Sequence, residues 1–319
     1  MGKGKIKNLR IFSNGLKTEM LLLGILMLLF TFIAFQSPVF LQVNTLLSLL
    51  RQASIYGIIA IGMVFVITAA GIDLSVGAVV GLSGVVVSML LTQNVNIALA
   101  IILAIGASII VGLFNGVLVH DFKVPPFIAT LASMTIVRNV ILLITGARTI
   151  SNLPNAFKSL GTGTFLGIPN LFIVWFMVIV VALFIATKTV FGRNVYAYGS
   201  NKEAARLSGI NIRKTVYGVY TFSAILCGIA GVLLTARLGN GVPNSGTGYE
   251  LDAIAASVVG GASLEGGEGS VIGTALGALI MATLRQGGTL LGMNSFIVEI
   301  VIGSLIALAV IMDKMKKTN

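Results

Sequence analysis

Apolar residues occur along the chain in long, nearly continuous runs that are separated by short polar or glycine-rich stretches. A run of about 20 apolar residues is long enough to cross a bilayer as an α-helix. By this measure the sequence predicts ten spans, at 20–36, 52–70, 74–92, 96–119, 126–146, 170–187, 215–235, 250–262, 270–286 and 296–312. The eighth is short and contains a glycine pair, which predicts a broken or re-entrant helix. The predicted fold is an all-α polytopic membrane protein with about ten transmembrane helices.

Composition supports this assignment. Hydrophobic residues make up 56% of the 319 residues, charged residues only 10%, and the mean hydropathy is +1.03. Soluble globular domains are much more polar. The single cysteine, Cys227, lies in an apolar run, where a buried free thiol is the ordinary interpretation.

The distribution of positive charge predicts how the chain is oriented. The net charge is +11, and fifteen of the 21 lysines and arginines fall in four segments that ten spans would place on one side. Positive residues beside spans mark the cytoplasmic face and do not indicate nucleic-acid binding. The predicted organisation is a cytoplasmic segment at 1–19, a single membrane domain at 20–312 with a cytoplasmic loop at 188–214, and a cytoplasmic tail at 313–319.

Two similar glycine-spaced stretches suggest an internal repeat. Gly112 and Gly116 lie in the fourth predicted span, and Gly273 and Gly277 lie in the ninth. A displacement of five spans reverses direction across the membrane, which is the pattern of a 5+5 inverted repeat. Close helix packing through small residues explains the same glycines without a repeat.

The loop at 188–214 contains the clearest local motif, Glu203-Ala204-Ala205-Arg206-Leu207-Ser208-Gly209. The motif predicts a short helix from Asn201 to Gly209 that presents charged groups to the cytosol, with Gly209 ending it. One interpretation is a docking helix for a cytoplasmic partner. The other is a solvated amphipathic loop with an internal ion pair.

Motifs for chemistry are missing from the sequence. It contains no G-x-x-x-x-G-K-[ST] phosphate-binding loop, so energy for transport would come from a partner or an ion gradient. A lone histidine, His120, and the lack of a G-x-S-x-G motif argue against an enzyme.

Several motifs together resemble the permease subunits of ribose-type sugar ABC importers of bacteria. They are Gly71-Ile-Asp73-Leu-Ser75-Val-Gly77, Phe127-Ile-Ala-Thr130-Leu, the Glu203 to Gly209 motif, and Gly248-Tyr-Glu250-Leu-Asp252-Ala-Ile-Ala-Ala followed by Gly260-Gly-Ala-Ser-Leu-Glu-Gly-Gly. These motifs are ordered over about 200 residues, and the resemblance covers nearly the whole chain.

The resemblance implies a homodimeric importer in the inner membrane that works with two partners, a cytoplasmic ATPase and an extracytoplasmic sugar-binding protein. ATP and Mg would be bound by the ATPase, with no cofactor in this chain. The segment Asn201, Glu203, Ala204, Ala205, Arg206 and Gly209 would dock on the ATPase. Ribose is the expected substrate, with autoinducer-2 or another pentose or hexose as alternatives.

Four polar residues near span ends have two interpretations. Asp73 and Ser75 lie at the start of the third span, and Glu250 and Asp252 lie at the start of the eighth. Each pair is placed to stabilise the N-terminal end of the helix that follows. Alternatively, they lie at the periplasmic mouth and contact sugar. We expect the capping role for both.

A path for a neutral sugar needs hydrogen-bonding groups and an aromatic side chain. The candidates are Asn115, Phe127 and Thr130. Ordinary helix packing explains them equally well.

Two rival functions remain open. An ion-coupled secondary transporter needs ionisable residues near the membrane midplane. Arg138, Arg285 and Glu299 are the charged residues nearest span interiors, although each is able to pair across helices. A membrane scaffold that moves nothing would explain the docking loop but not the long resemblance.

Overall fold

The computed structural model describes the backbone of residues 3–318. Side chains are described from residue 18 onward, except at positions 306, 309, 312, 313 and 316–318. The outermost residues of the two predicted cytoplasmic termini, 1, 2 and 319, and the basic side chains before residue 18 therefore lie outside the described residues.

The described chain is built almost entirely of helices. They are α1 (Lys3–Gln36), α2 (Val43–Thr68), α3 (Val76–Thr92), α4 (Ile97–His120), α5 (Pro126–Thr145), α6 (Asn155–Thr162), α7 (Asn170–Lys188), α8 (Val190–Ser200), α9 (Lys202–Leu207), α10 (Ile212–Leu238), α11 (Tyr249–Val259), α12 (Val271–Leu290) and α13 (Ser295–Thr318). A short 3-10 turn (Pro38–Leu41) joins α1 to α2, and the strands β1 (Thr164–Phe165) and β2 (Ile168–Pro169) form a small antiparallel hairpin. The all-α prediction is confirmed, and the hairpin is the addition that it missed.

A helix lies in each of the ten predicted spans, but the helices differ in length and polarity. Among the described residues, six are long and apolar enough to cross a membrane: Thr18–Gln36 of α1 together with α2, α4, α5, α7 and α10. Helix α11 has 11 residues. At 1.5 Å per residue it covers about half of a hydrocarbon core. Helix α2 begins at Val43 rather than at 52, because polar residues in its first turns shortened the apolar run.

Two helices form the centre of the bundle. In α2 and α10, 83% and 78% of the most apolar 18-residue window is buried, whereas 11–28% is buried in the windows of α1, α4, α5 and α7. The peripheral helices turn large apolar side chains outward, including Leu28 and Leu143. An apolar outer surface of this kind suits a lipid environment.

Two non-helical segments interrupt the helical bundle. Residues 69–75 connect α2 to α3, and residues 239–248 connect α10 to α11. They bring the N-terminal ends of α3 and α11 together, since a methyl group on Gly77 would lie 2.2 Å from the Gly246 carbonyl oxygen. Glycine is therefore needed at position 77 for this close approach. The two short helices begin beside each other in the interior.

Candidate functional site

Helix α9 has the geometry that the sequence predicts for its two ends. The Oδ1 atom of Asn201 accepts a hydrogen bond from the Ala204 N–H at 2.9 Å and caps the helix. Gly209 follows the helix with φ of +81°, a conformation in which glycine ends helices at little cost. Glu203 and Arg206 form an ion pair at 3.1 Å, with 69% and 67% of their side chains exposed. A solvated pair of this kind adds little to stability and leaves both charges accessible.

The alanines of this motif differ in environment. Ala205 is buried and faces the protein, whereas Ala204 is exposed. The next apolar residue, Leu207, is 81% exposed at the tip of the helix. Leu207 was not among the predicted docking residues, although an apolar residue inside a charged loop is a signal that the sequence contains. Together with Glu203 and Arg206 it forms an amphipathic surface, which we call the α9 surface.

Helix α8 connects the α9 surface to the bundle. A methyl group on Gly199 would lie 1.8 Å from the Thr68 carbonyl oxygen at the end of α2. The same oxygen accepts a hydrogen bond from the Gly267 N–H at 2.8 Å, just before α12. The Tyr196 hydroxyl donates to the Gly269 carbonyl at 2.8 Å, and burial raises the pKa of Tyr196. These backbone contacts tie α8 to both α2 and the segment that leads into α12.

A second polar cluster joins the start of α10 to the loop between α4 and α5. The Asp121 carboxylate accepts hydrogen bonds from the Tyr217 hydroxyl and from Arg213 at 3.3 Å, and it lies 2.6 Å from His120 Nδ1. The hydrogen bond from Tyr217 is the largest cause that lowers the pKa of Asp121. Because α10 follows α9 after four residues, this cluster links the α9 surface to α4 and α5.

Asp73 is buried among hydrogen-bond donors. Its Oδ1 accepts from the Ser75 N–H at 2.9 Å and from the Ser75 hydroxyl at 2.5 Å, and its Oδ2 accepts from the Ser223 hydroxyl at 3.4 Å. Ser75, not Asp73, occupies the N-cap position of α3, and its side chain caps no N–H. The cap prediction for Asp73 is therefore corrected: the carboxylate orders the last turn before the helix, because its nearest backbone donor is Ser75.

Two of the three predicted path residues belong to the same buried network. Asn115 donates to the Ser75 hydroxyl at 2.9 Å and accepts from Ser133. The Thr130 hydroxyl accepts from the Leu74 N–H at 3.1 Å and lies 3.1 Å from the Ile72 carbonyl. Both side chains hold the 69–75 segment against α4 and α5. Phe127 is half exposed at the start of α5 and does not share their buried surroundings.

Glu250 lies where the N-terminal ends of α3 and α11 meet. It is in the first turn of α11, and its Oε1 accepts from the Gly248 N–H at 3.2 Å. A methyl group on Gly77 in α3 would lie 2.3 Å from its Oε2. A carboxylate at this point is stabilised by the dipoles of both helices. Arg138 donates to the Ser245 carbonyl at 2.7 Å and holds the 239–248 segment from the other side.

Asp252 belongs to a different cluster, although it lies in the same turn. It is buried, and its Oδ1 is 2.7 Å from Nη2 of Arg285 in α12. Nη1 of Arg285 is 2.7 Å from Oε1 of Glu299 in α13. This Asp252–Arg285–Glu299 cluster joins three helices. Arg285 and Glu299, the residues on which an ion-coupled transporter was considered, are therefore paired with each other.

Comparison with known proteins identifies the class of this site. Residues 45–310 match the family described as "Branched-chain amino acid transport system / permease component". The chain is similar to the Ribose import permease protein RbsC of Bacillus subtilis (strain 168), with 43% identity over 91% of each chain, and to that of Escherichia coli (strain K12), with 41% identity over 97% of each. It is also similar to the Xylose transport system permease protein XylH of Escherichia coli (strain K12), with 35% identity over 87% of this chain and 86% of the other. No solved structure matches.

The matched residues extend from the beginning of α2 into α13. They include the segments 69–75 and 239–248, the α9 surface and the buried Asp73 network. The three relatives named above are transport permeases and not enzymes. The chain belongs to this family of transport-system permease components and is the membrane permease of a sugar-type ABC importer.

Proposed function

We propose that the substrate of this permease is ribose and that the chain imports it with energy from a separate ATPase. The observation that carries the proposal is the identity of 41–43% to ribose import permeases over more than nine-tenths of the chain, against 35% to a xylose permease. Autoinducer-2 and other pentoses or hexoses are the alternatives that the same scaffold would accept.

The α9 surface is the proposed docking point for the ATPase. Its support is the exposed Leu207, the exposed ion pair beside it and the capped ends that keep six residues helical. Amphipathic helices of this kind insert into apolar grooves on partner proteins. Two copies of the chain, each with one such helix, would face an ATPase with two nucleotide-binding domains. ATP and Mg belong to that partner, and lipid surrounds the outer helices.

We further propose ten membrane-embedded helices arranged as a 5+5 inverted repeat. The support is a matched set of helix contacts. A displacement of five spans pairs α2 with α10, α3 with α11, α4 with α12 and α5 with α13. Helix α10 packs on α3 and α4, and its counterpart α2 packs on α11 and α12. Helix α3 packs on α4 and α5, and its counterpart α11 packs on α12 and α13. Both α3 and α11 follow a non-helical segment, and helices interrupted in this way are a feature of transporters with inverted repeats. In this arrangement both termini and the α9 surface face the cytoplasm of a bacterial cell.

The contacts suggest how the chain changes access. A force on α9 reaches α2 and α12 through the Thr68 carbonyl, which contacts both Gly199 and Gly267. It reaches α4 and α5 through Asp121. The contacts through α2 and those through α4 both lead to the 69–75 segment, which follows α2 and is held by Asn115 and Thr130. Rigid-body movement of these helices would open the dimer interface alternately to each side.

The substrate proposal is tested by ATP hydrolysis in nanodiscs that contain the permease, its ATPase and its sugar-binding protein. Each of ribose, xylose, glucose and autoinducer-2 is added in turn. Ribose is expected to stimulate hydrolysis more than the other three compounds. Stronger stimulation by another compound identifies that compound as the substrate and overturns the ribose assignment.

A further inference from the structure

Two neighbouring cavities lie at the end of α10 that is opposite to the α9 surface. The first has a volume of about 270 Å³ and is lined by residues of α2, α10 and α11, including Gln52, Arg237 and Tyr249. The second has a volume of about 250 Å³ and lies among α11, α12 and α13 at the Asp252–Arg285–Glu299 cluster. Tyr56 and Tyr249 line both cavities. Both are small compared with the sites of drug-sized ligands, which suits a small ligand.

The lining has an unusual concentration of polar groups for a chain in which only 10% of residues are charged. The rings of Tyr56 and Tyr249 pack edge to face with centroids 4.9 Å apart. Gln52 Nε2 lies 3.4 Å from the Tyr56 hydroxyl, and the Arg285 guanidinium lies 5.9 Å from the Tyr56 ring centroid. Aromatic rings beside hydrogen-bonding groups are suited to the two faces of a sugar, which has apolar C–H groups and polar hydroxyls.

Arg237 is the residue in this region that lacks a partner. Its side chain is partly buried at the end of α10 and makes no hydrogen bond or ion pair with any residue that the structure describes. A partly buried guanidinium has five donors to satisfy. It is therefore available to donate to a molecule that enters the first cavity.

The charges around the two cavities are of both signs. Arg237 lines the first cavity, and Asp252, Arg285 and Glu299 line the second. The four formal charges cancel when the two cavities are taken together. Hydroxyl groups accept from arginine and donate to carboxylates, and so satisfy both kinds of side chain.

We propose that these cavities form an entry subsite for a neutral monosaccharide, in which Arg237, Gln52 and the two tyrosines make the contacts in the first cavity. The inference rests on the proposed function, because it assigns the site to the sugar that the importer carries. The subsite lies on the side away from the ATPase, where a sugar-binding protein would release its ligand. It is a separate site from Asn115 and Thr130, the predicted path residues, which hydrogen-bond to protein groups in this structure.

The first test uses an introduced thiol. The native Cys227 is buried, so a Gln52→Cys variant in a Cys227→Ala background carries one reactive cysteine. A membrane-impermeant thiol reagent added from outside is expected to label Gln52→Cys, and saturating ribose with its binding protein is expected to slow labelling at least fivefold. Leu166→Cys on the β-hairpin, 87% exposed, is the matched control and should label at the same rate with and without ribose.

The second test is transport by Arg237→Gln. Because Arg237 has no ion-pair partner among the described residues, its replacement breaks no described ion pair and should leave the melting temperature unchanged or higher. Uptake of radiolabelled ribose by the complete importer is expected to fall at least tenfold, whereas Arg148→Gln, exposed after α5, should transport normally.

The outcomes separate the two proposals. If wild-type importer carries ribose but neither ribose-dependent protection of Gln52→Cys nor loss of uptake in Arg237→Gln is seen, the subsite is wrong and the proposed function stands. If Gln52→Cys is inaccessible from outside, the subsite is likewise wrong. If the wild-type complex carries no sugar, both proposals are wrong.

Discussion

At the residue scale, the buried carboxylate of Asp73 organises the interior of the bundle. A carboxylate in an apolar interior is costly unless donors surround it. Here three donors do so, two from Ser75 and one from Ser223, and Asn115 extends the network to Ser133 in α5. The network fixes a segment that is not itself helical. Its role is to hold residues 69–75 at a defined position between α4, α5 and α10.

Replacing Asp73 therefore tests this network. Asp73→Ala leaves the N–H and hydroxyl of Ser75 without an acceptor, and an unsatisfied buried donor costs about 1–3 kcal/mol. We expect a clear fall in the melting temperature of the purified permease. Asp73→Asn keeps one acceptor oxygen and is the matched control, for which a smaller fall is expected. Equal melting temperatures for the wild type and both variants would contradict the stabilising role.

Residue-level prediction from sequence succeeded where local chemistry decides the structure. The ends of α9 follow from Asn201 and Gly209, since capping and a positive φ depend on neighbouring backbone alone. The surroundings of Asp73 and Asn115 depend on side chains from other helices, such as Ser223 and Ser133. No pattern along the sequence contains those contacts, so the Asp73 cap was misplaced and the sugar contacts at Asn115, Phe127 and Thr130 stay untested predictions.

At the scale of elements, helices α8 and α2 meet backbone to backbone. Helix α8 touches the end of α2 so closely that Gly199 leaves no room for a side chain. The contact lies between the α9 surface and the centre of the bundle. A small residue at this point lets the backbones of α8 and α2 approach closely, as small residues do at helix interfaces in membranes.

Adding one methyl group at this contact should disturb it. Gly199→Ala would place a carbon 1.8 Å from the Thr68 carbonyl oxygen, which requires a backbone shift. Overpacking of this kind costs about 1–3 kcal/mol, so the melting temperature should fall. Gly106→Ala is the control, because a methyl group at Gly106 meets nothing within 4 Å. If Gly199→Ala and Gly106→Ala have the same melting temperature, α8 does not pack on α2 as described.

The α9 surface gives a prediction about partner assembly. Leu207→Ala removes an apolar side chain that is 81% exposed, so the isolated permease should keep its stability while less ATPase co-purifies with it. Glu203→Arg reverses a charge on the same surface and should reduce both assembly and ATP-driven uptake. Leu166→Ala removes a side chain of equal size and similar exposure on the opposite side, and it is expected to have no effect. Normal assembly and uptake in both α9 variants would exclude docking at α9.

Elements were predictable to the extent that apolar runs define them. Helices α4 and α5 start within one residue of their predicted positions because the apolar run and the helix coincide. Helix α6 and the β-hairpin were missed, since residues 146–169 between α5 and α7 contain no long apolar run. Leu166 and Gly167, both with positive φ, form the turn between β1 and β2. Such a tight turn is a local signal that an analysis of apolar runs ignores.

At the scale of the whole molecule, two regions on opposite sides of the bundle are linked through its interior. The α9 surface lies on one side and the two cavities lie on the other. Helices α2 and α10 connect them, and both are largely buried. The arrangement suits a machine in which a partner's energy is converted into a change of access.

The most direct measurement is uptake by proteoliposomes that contain the permease, its ATPase and external sugar-binding protein. Radiolabelled ribose is supplied outside and ATP inside. We expect ribose to accumulate with internal ATP, and not with a non-hydrolysable analogue or with a proton or sodium gradient alone. Accumulation driven by an ion gradient without ATP would contradict the proposed ATP-driven import, as would the failure of ATP to drive uptake of any sugar.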